Sequence, residues 1–264
     1  MSDVLGIINC GIYAEDVSQD EEQYALENGW IKLESPKYND TWCQGRQTRI
    51  KNSELVYNKK IRKMLDPCSN IESCVKRLDE CDKNELKTVY EQYIKIKSNQ
   101  YKESDEIFAD FYTHDDFFDD LLIDPDYKKI IEYRENGKLH AFVICRTYEK
   151  TNAITSIQFC WDYHKPKIFL GKYSCIKEIE MCIDEGREYL YLGCGYENMC
   201  FYKSMYKGFE WWTGSEWSSD KEGYRTLCGT DTNTKDIYEL GQLEEEYTGK
   251  FFFSPKEIEN RKNS

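Results

Sequence analysis

Residues Lys167–Tyr196 read KIFLGKYSCIKEIEMCIDEGREYLYLGCGY. Tyr173, Ile176, Ile179 and Ile183 recur at helical spacing, while Glu180 and Arg187 are polar. The pattern predicts an amphipathic helix that stops at Gly186, where a left-handed residue ends a helix at little cost. YLYLGCGY then predicts an aromatic strand ending in glycines. The unit is loop, helix, short turn, strand.

Working outward, KIIEYRENGKLHAFVICRTYEK predicts two strands joined at Asn136-Gly137, a strong hairpin signal. AITSIQFCWDY predicts a third strand. NMCFYKSMYKGFEWW predicts a short helix, a stop at Gly208 and a further strand. From Lys129 the order is β-β-β-α-β-α-β, that of the GNAT acyltransferase fold. The expected class is therefore α/β with a GNAT-like acyltransferase core. Upstream, SQDEEQYALENGW predicts a helix capped at Ser18 and stopped at Gly29. WIKLES predicts a short strand, and TWCQGRQTRIK a turn and a second one. NKKIRKML and KNELKTVYEQYIKIKSNQY are patterned as helices. This organisation predicts a mixed α/β N-terminal domain over 1–110, a GNAT-like C-terminal domain over 111–217, and a polar, weakly patterned extension over 218–264.

The chain has 264 residues, enough for a sizeable core. Its 12 cysteines include no CxxC pair, and Cys68, Cys74 and Cys81 are spaced too widely for the usual zinc knuckle. The start MSDVLGIINCGIY lacks the basic and long apolar regions of a secretory signal. No run approaches the roughly 20 apolar residues of a membrane span. The expectation is a cytoplasmic protein with mostly free, buried thiols and no membrane association. His114 with Asp115 and Asp116 reads as an acidic loop in preference to a metal site. Net charge is −13, which argues against a general nucleic-acid binder. Yet Arg46–Met64 carries seven basic residues and one acid. That segment reads either as a patch for one phosphate backbone or as a solvated helix face.

An acetyl-CoA site needs a Gly-rich loop whose N–H groups, with the helix N-terminus, hold a pyrophosphate. The loop here, DYHKPKIFLGKYS, has one glycine, Gly171, and a proline that lacks an N–H. It is a poor anion nest. The helix start still suits one phosphate or a carbonyl oxygen, so the fold is expected to use a donor other than a pyrophosphate cofactor.

Several segments in order carry a family resemblance. They are Trp161-Asp162-Tyr163, LGKYS with Glu178 in the helix, YLYLGCGY, and Tyr202, Lys203, Tyr206 and Lys207 of YKSMYKGFEWW. Upstream, LENGWIKLES and WCQGRQTRIKNSELVYNKKIRKML continue the match. From about Asn9 to Trp212 the chain resembles arginyl-tRNA–protein transferases and their bacterial leucyl-transferring relatives. Three features depart from that pattern, one being that the segment Ser218–Thr234 has no clear counterpart in the family. Cys10 and Cys43 offer two thiols where the eukaryotic members carry four, which argues against a bound zinc or iron–sulfur cluster. Gly208 stands where the family has proline.

The resemblance implies transfer of an amino acid from aminoacyl-tRNA, as co-substrate, to the N-terminal amine of proteins beginning with Asp or Glu. Arg is favoured over Leu, because acidic pockets suit a guanidinium. No cofactor is needed. The implied roles follow. Asp162 and Glu178 are catalytic candidates for moving a proton. Gln47, Arg49, Lys203 and Lys207 are candidates for holding the acidic N-terminus, Arg by its bidentate fork. Lys59, Lys60, Arg62 and Lys63 are candidates for the tRNA acceptor arm. Gly171, Tyr173, Ser174, Tyr191, Gly193 and Tyr196 are donor-site candidates, the aromatic rings by stacking on the terminal adenine. For each residue the competing reading is a packing or solvated role. At the level of function, a CoA-dependent N-acyltransferase and a non-catalytic binder of acidic N-termini or tRNA remain as alternatives.

Overall fold

The computed structural model describes residues 12–14, 17–34, 42–101, 117–165 and 168–233. Eight strands form one sheet in the order β11-β10-β4-β9-β8-β7-β6-β5. They are β4 (Gln47–Lys51), β5 (Glu72–Arg77), β6 (Lys128–Glu135), β7 (Lys138–Thr147), β8 (Ala153–Trp161), β9 (Tyr189–Cys194), β10 (Phe209–Trp212) and β11 (Trp217–Ser218). The first three strands, β1 (Ile12–Ala14), β2 (Trp30–Lys32) and β3 (Trp42–Gln44), make a small separate sheet. All pairings in the large sheet are antiparallel except β8 with β9.

The expected hairpin is present. Asn136 and Gly137 both have positive φ, 52° and 78°, and Glu135 pairs with Lys138 across them. The β7 run Leu139–Arg146 is buried throughout, because both faces of the sheet are covered. On one face lie the helices Lys83–Tyr101 and Phe117–Leu121, whose Leu86, Val89, Tyr90 and Phe118 meet Phe142 and Ile144. On the other lies the helix Leu170–Asp184, whose Ile176 and Ile179 meet Val143 and Cys145. Gly186 ends it at φ 68°. The helix Lys59–Leu65 shares that second core through Ile61 and Met64. Three antiparallel strands, a crossing helix and a parallel strand form the GNAT-like core.

Three expectations need correction. The boundary at 110 does not divide the sheet. β4 and β5 come from the N-terminal segment, yet β4 lies between β10 and β9, and β5 pairs β6. The extension expected to be weakly patterned after 218 carries a regular helix where it is described, Lys221–Asn233. Ser18 does not cap the first helix, Glu22–Glu27. It holds the turn before it through Glu21, its Oγ donating to Oε2 at 2.6 Å. The stop at Gly29 is as expected, at φ 75°, and a Cβ there would strike the Trp212 ring at 2.4 Å. Cys10, the His114–Asp116 segment and the chain after Asn233 lie outside the described residues.

The described cysteines are free thiols. No described helix is long and apolar enough to cross a membrane.

Candidate active site

β8 and β9 pair only through Ala153–Thr155 and Tyr189–Tyr191. Beyond those rungs the sheet opens, and Ser156–Phe159 and Leu192–Cys194 become half-buried. β9 carries a bulge against β4 at this point. Gly193 supplies its left-handed backbone, φ 73°, and a Cβ there would meet nothing within 4 Å. The glycine therefore serves the backbone turn and not a close approach. The helix Leu170–Asp184 starts beside the opening. Phe169 is its N-cap and no side chain caps it. Gly171 faces Phe159 of β8, 3.5 Å from where its Cβ would stand.

Lys203 closes the β9 side of the opening. Its Nζ donates to the carbonyls of Leu192 and Cys194, each at 2.7 Å. It is 8% exposed. Two of the three ammonium protons are spent there. The Cys194 thiol beside it is lowered in pKa, first by a hydrogen bond from Cys43, against burial, and then by the Lys203 charge. The Cys43 thiol is correspondingly raised. Gln47 completes this group, with Nε2 3.5 Å from the Cys43 carbonyl and thiol. Of the substrate-binding candidates, Gln47 and Lys203 come together here. Lys207 is exposed on the following turn.

Arg49 is placed elsewhere. Its guanidinium lies 4.0 Å from the Tyr189 ring and 4.0 Å from the Trp217 ring. Nε donates to Glu210 at 2.7 Å and Nη1 to the Tyr191 hydroxyl at 3.2 Å. The fork expected to hold a substrate carboxylate already holds one, so Arg49 ties β4, β9, β10 and β11 together. Tyr191 and Tyr196 are likewise occupied. Tyr191 donates to the Leu26 carbonyl, and Tyr196 accepts from the Arg46 amide. Both are buried, which leaves no face for an adenine.

The two catalytic candidates are also enclosed. Glu178 is 3% exposed, and one oxygen accepts from Ser174 Oγ at 2.8 Å. Burial raises its pKa, so it favours the neutral form. Ser174 in turn accepts from the Tyr133 hydroxyl, and Tyr173 donates to the Ile71 carbonyl. Tyr173, Ser174 and Glu178 thus line the core face of the helix and not its free end. Asp162 accepts from His140 Nδ1 at 2.8 Å and His164 Nδ1 at 3.0 Å, one on each oxygen. A carboxylate so engaged is not a free base.

A carboxyl that the sequence reading missed stands just past β9. Glu197 is 3% exposed and has φ 62°, unusual for a non-glycine residue. Burial, then Asp231, pushes its pKa up to about 7. Asp231 is held by Arg46 in a buried pair, Nη1–Oδ2 2.6 Å, and also accepts from the Glu197 amide. No local pattern in GYENMC marks Glu197; its shift comes first from burial and then from Asp231, which the Lys221–Asn233 helix brings near.

The basic helix is as expected in composition and exposure. Asn58 caps it, its side chain accepting from the Ile61 amide at 3.0 Å. Ile61 and Met64 face inward, which turns Lys59, Lys60, Arg62 and Lys63 to solvent. Tyr57, Lys59, Arg62, Lys63 and Asp66 line an open depression of about 370 Å³.

Residues 85–213 match the family model described as arginine-tRNA-protein transferase, C terminus. The sequence matches no curated protein. Among solved structures, the chain is similar to the C-terminal DUF2156 domain of an Agrobacterium fabrum protein, at 12% identity and TM-score 0.44, covering 89% of this chain and 63% of that one. It is similar to L-PGS from Bacillus licheniformis at 11% identity and TM-score 0.42, covering 81% and 64%. It is also similar to the PaiA N-acetyltransferase of Thermoplasma acidophilum in complex with coenzyme A, at 10% identity and TM-score 0.33, covering 44% and 75%. The chain spans just under two thirds of the length of the first two.

Proposed function

We propose, from the match of residues 85–213 to the family model described as arginine-tRNA-protein transferase, C terminus, that the protein is an aminoacyl-tRNA–protein transferase. In this reading it moves arginine from charged tRNA to the α-amine of proteins that begin with Asp or Glu. The family match is the observation that carries the reading. The open end of the sheet beside an uncapped helix start supports it.

The reaction is aminolysis of an activated ester. The amine nitrogen attacks the ester carbonyl, the bond from that carbon to the ribose oxygen breaks, and the amine proton ends on the ribose oxygen. A model α-amine has a pKa of about 7.7–8.0, so a fraction is neutral at pH 7. Holding ester and amine together supplies much of the rate. In our reading Glu197 accepts the amine proton and passes it on: it is as buried as Glu178, but it follows β9 at the open end of the sheet and titrates near 7. Lys203 pairs with the acidic side chain of the incoming N-terminus. The uncapped helix start at Leu170 takes the ester carbonyl or the terminal phosphate. Lys59, Lys60, Arg62 and Lys63 take the acceptor arm.

Lys203 gives the sharpest test of substrate choice. Lys203→Met should raise KM for Asp- and Glu-initiated peptides much more than it changes kcat. If it leaves the preference for acidic over Ala-initiated peptides intact in folded protein, this assignment fails.

A further inference from the structure

At the end of the sheet where β6, β7 and β8 finish or begin, three residues bring imidazole and carboxylate groups together. Glu135 ends β6, His140 stands near the start of β7, and His164 follows β8. Asp162 lies among them, its amide donating to the His140 carbonyl at 2.9 Å. Tyr163 takes φ 54°, a left-handed turn that brings His164 back onto Asp162. The His164 amide and its Nδ1 then both meet Asp162 Oδ1 at 3.0 Å. His140 Nδ1 meets the other oxygen at 2.8 Å.

With Nδ1 donating to the carboxylate, the Nε2 of a neutral imidazole carries the lone pair that a metal ion can take. The rings stack, 3.6 Å between centroids. His164 Nε2 is buried and lies 3.3 Å from Glu135 Oε2. That nitrogen and that oxygen are bridged either by a second imidazole proton or by a metal cation. Lys165 neutralises only the other oxygen, Oε1. The ligand atoms of Glu135, His140 and His164 all lie within 4.8 Å of one another.

We propose that Glu135, His140 and His164 form a binding site for a divalent transition metal ion, zinc foremost, with Asp162 orienting both imidazoles. Two imidazole nitrogens, one carboxylate oxygen and an open position are a donor set that zinc takes. A carboxylate holding the far nitrogen of a ligating histidine is the usual support for such a ligand. Around a tetrahedral zinc the donors stand about 3.3 Å apart, from bond lengths of about 2.0–2.1 Å. Closing the site therefore means spreading the stacked rings and drawing the three side chains inward. It joins the ends of three strands and the loop that leads to Leu170. The proposal does not depend on the transferase reading.

The test is calorimetric titration of zinc into the full chain after chelator treatment, with bound metal counted after dialysis. One zinc per chain is expected. Glu135→Gln keeps the size of the side chain at a hairpin end, and it should weaken binding at least about tenfold, as should His164→Asn. Asp162→Asn should weaken it by about 10–100-fold, the range for a support carboxylate. Replacing Cys43 and Cys194 together by Ser should leave it unchanged. Circular dichroism confirms that each variant is folded. Absence of binding to folded wild type would overturn the proposal. So would binding that Glu135→Gln leaves intact, or binding that vanishes with the two thiols, which would place the ion elsewhere.

Discussion

At the scale of single residues, the decisive feature is how many polar side chains are sealed inside with partners. Arg46 and Asp231 are each 1% exposed and paired at 2.6 Å. Removing one member strands a buried charge, so Arg46→Met should cost about 3–5 kcal/mol in urea unfolding. Arg46→Met with Asp231→Leu should recover most of that loss. Glu197 sets a pH dependence of its own. Its folded pKa, about 7, is raised above the ordinary 4.5. The folded chain thus binds this proton more tightly than the unfolded chain, and stability falls as pH rises from about 4.5 to 7. Glu197→Gln, which stays neutral, should therefore be more stable than wild type by about 1–3 kcal/mol at pH 8. The two should converge below pH 4.5, and a difference that does not change with pH would refute the shift. Arg49 shows the limit of reading a residue from a motif. The sequence locates a significant arginine, but only the fold reveals that Tyr189, Trp217 and Glu210 already occupy it. Asp162 was singled out as a proton carrier and is instead engaged by His140 and His164, and the grouping of these with Glu135 left no mark in the sequence because three strand ends bring them together from distant positions.

At the scale of elements, periodicity served wherever one face was apolar. The helix Leu170–Asp184 and the hairpin at Asn136-Gly137 follow their local signals. β5 did not show itself because ESCVKR is almost wholly exposed at the sheet edge, so burial imposes no alternation on it. The Lys221–Asn233 helix did not because its inward stripe is Tyr224, Cys228 and Asp231, one of them an acid, and it contains Gly223 and Gly229. Asp231 faces inward only because Arg46 meets it. Gly208 makes the element-scale prediction. It has φ 78°, and a Cβ there would stand 2.5 Å from the Lys51 carbonyl oxygen. That geometry admits no proline, whose φ is fixed near −65°. Gly208→Ala should destabilise by about 2 kcal/mol or more, from strain and overpacking, and should loosen β10 from β4 in hydrogen exchange.

At the scale of the whole molecule, the sheet is built from both ends of the chain. β4 fills the place between β9 and β10, and β5 covers β6. The order of strands after Lys129 was legible, but the expected division at 110 was not a division of this sheet, since strand pairing across the chain leaves no local mark. A fragment of residues 111–264 should accordingly fail to show the cooperative unfolding of the full chain. Charge is distributed on the same scale. The net charge is −13, yet Lys59, Lys60, Arg62 and Lys63 stand together on an exposed helix. If they meet duplex phosphates, replacing Lys59, Lys60 and Lys63 by Ala should flatten the salt dependence of tRNA binding by up to about 2.7 in log–log slope. The central claim, however, is transfer. The most direct measurement is incubation of the folded chain with labelled Arg-tRNA or Leu-tRNA and peptides beginning with Asp, Glu or Ala. The account predicts label from Arg-tRNA on the Asp and Glu peptides, none on the Ala peptide, and a large loss in Glu197→Gln. Folded protein that binds charged tRNA and moves no label to any peptide would contradict it.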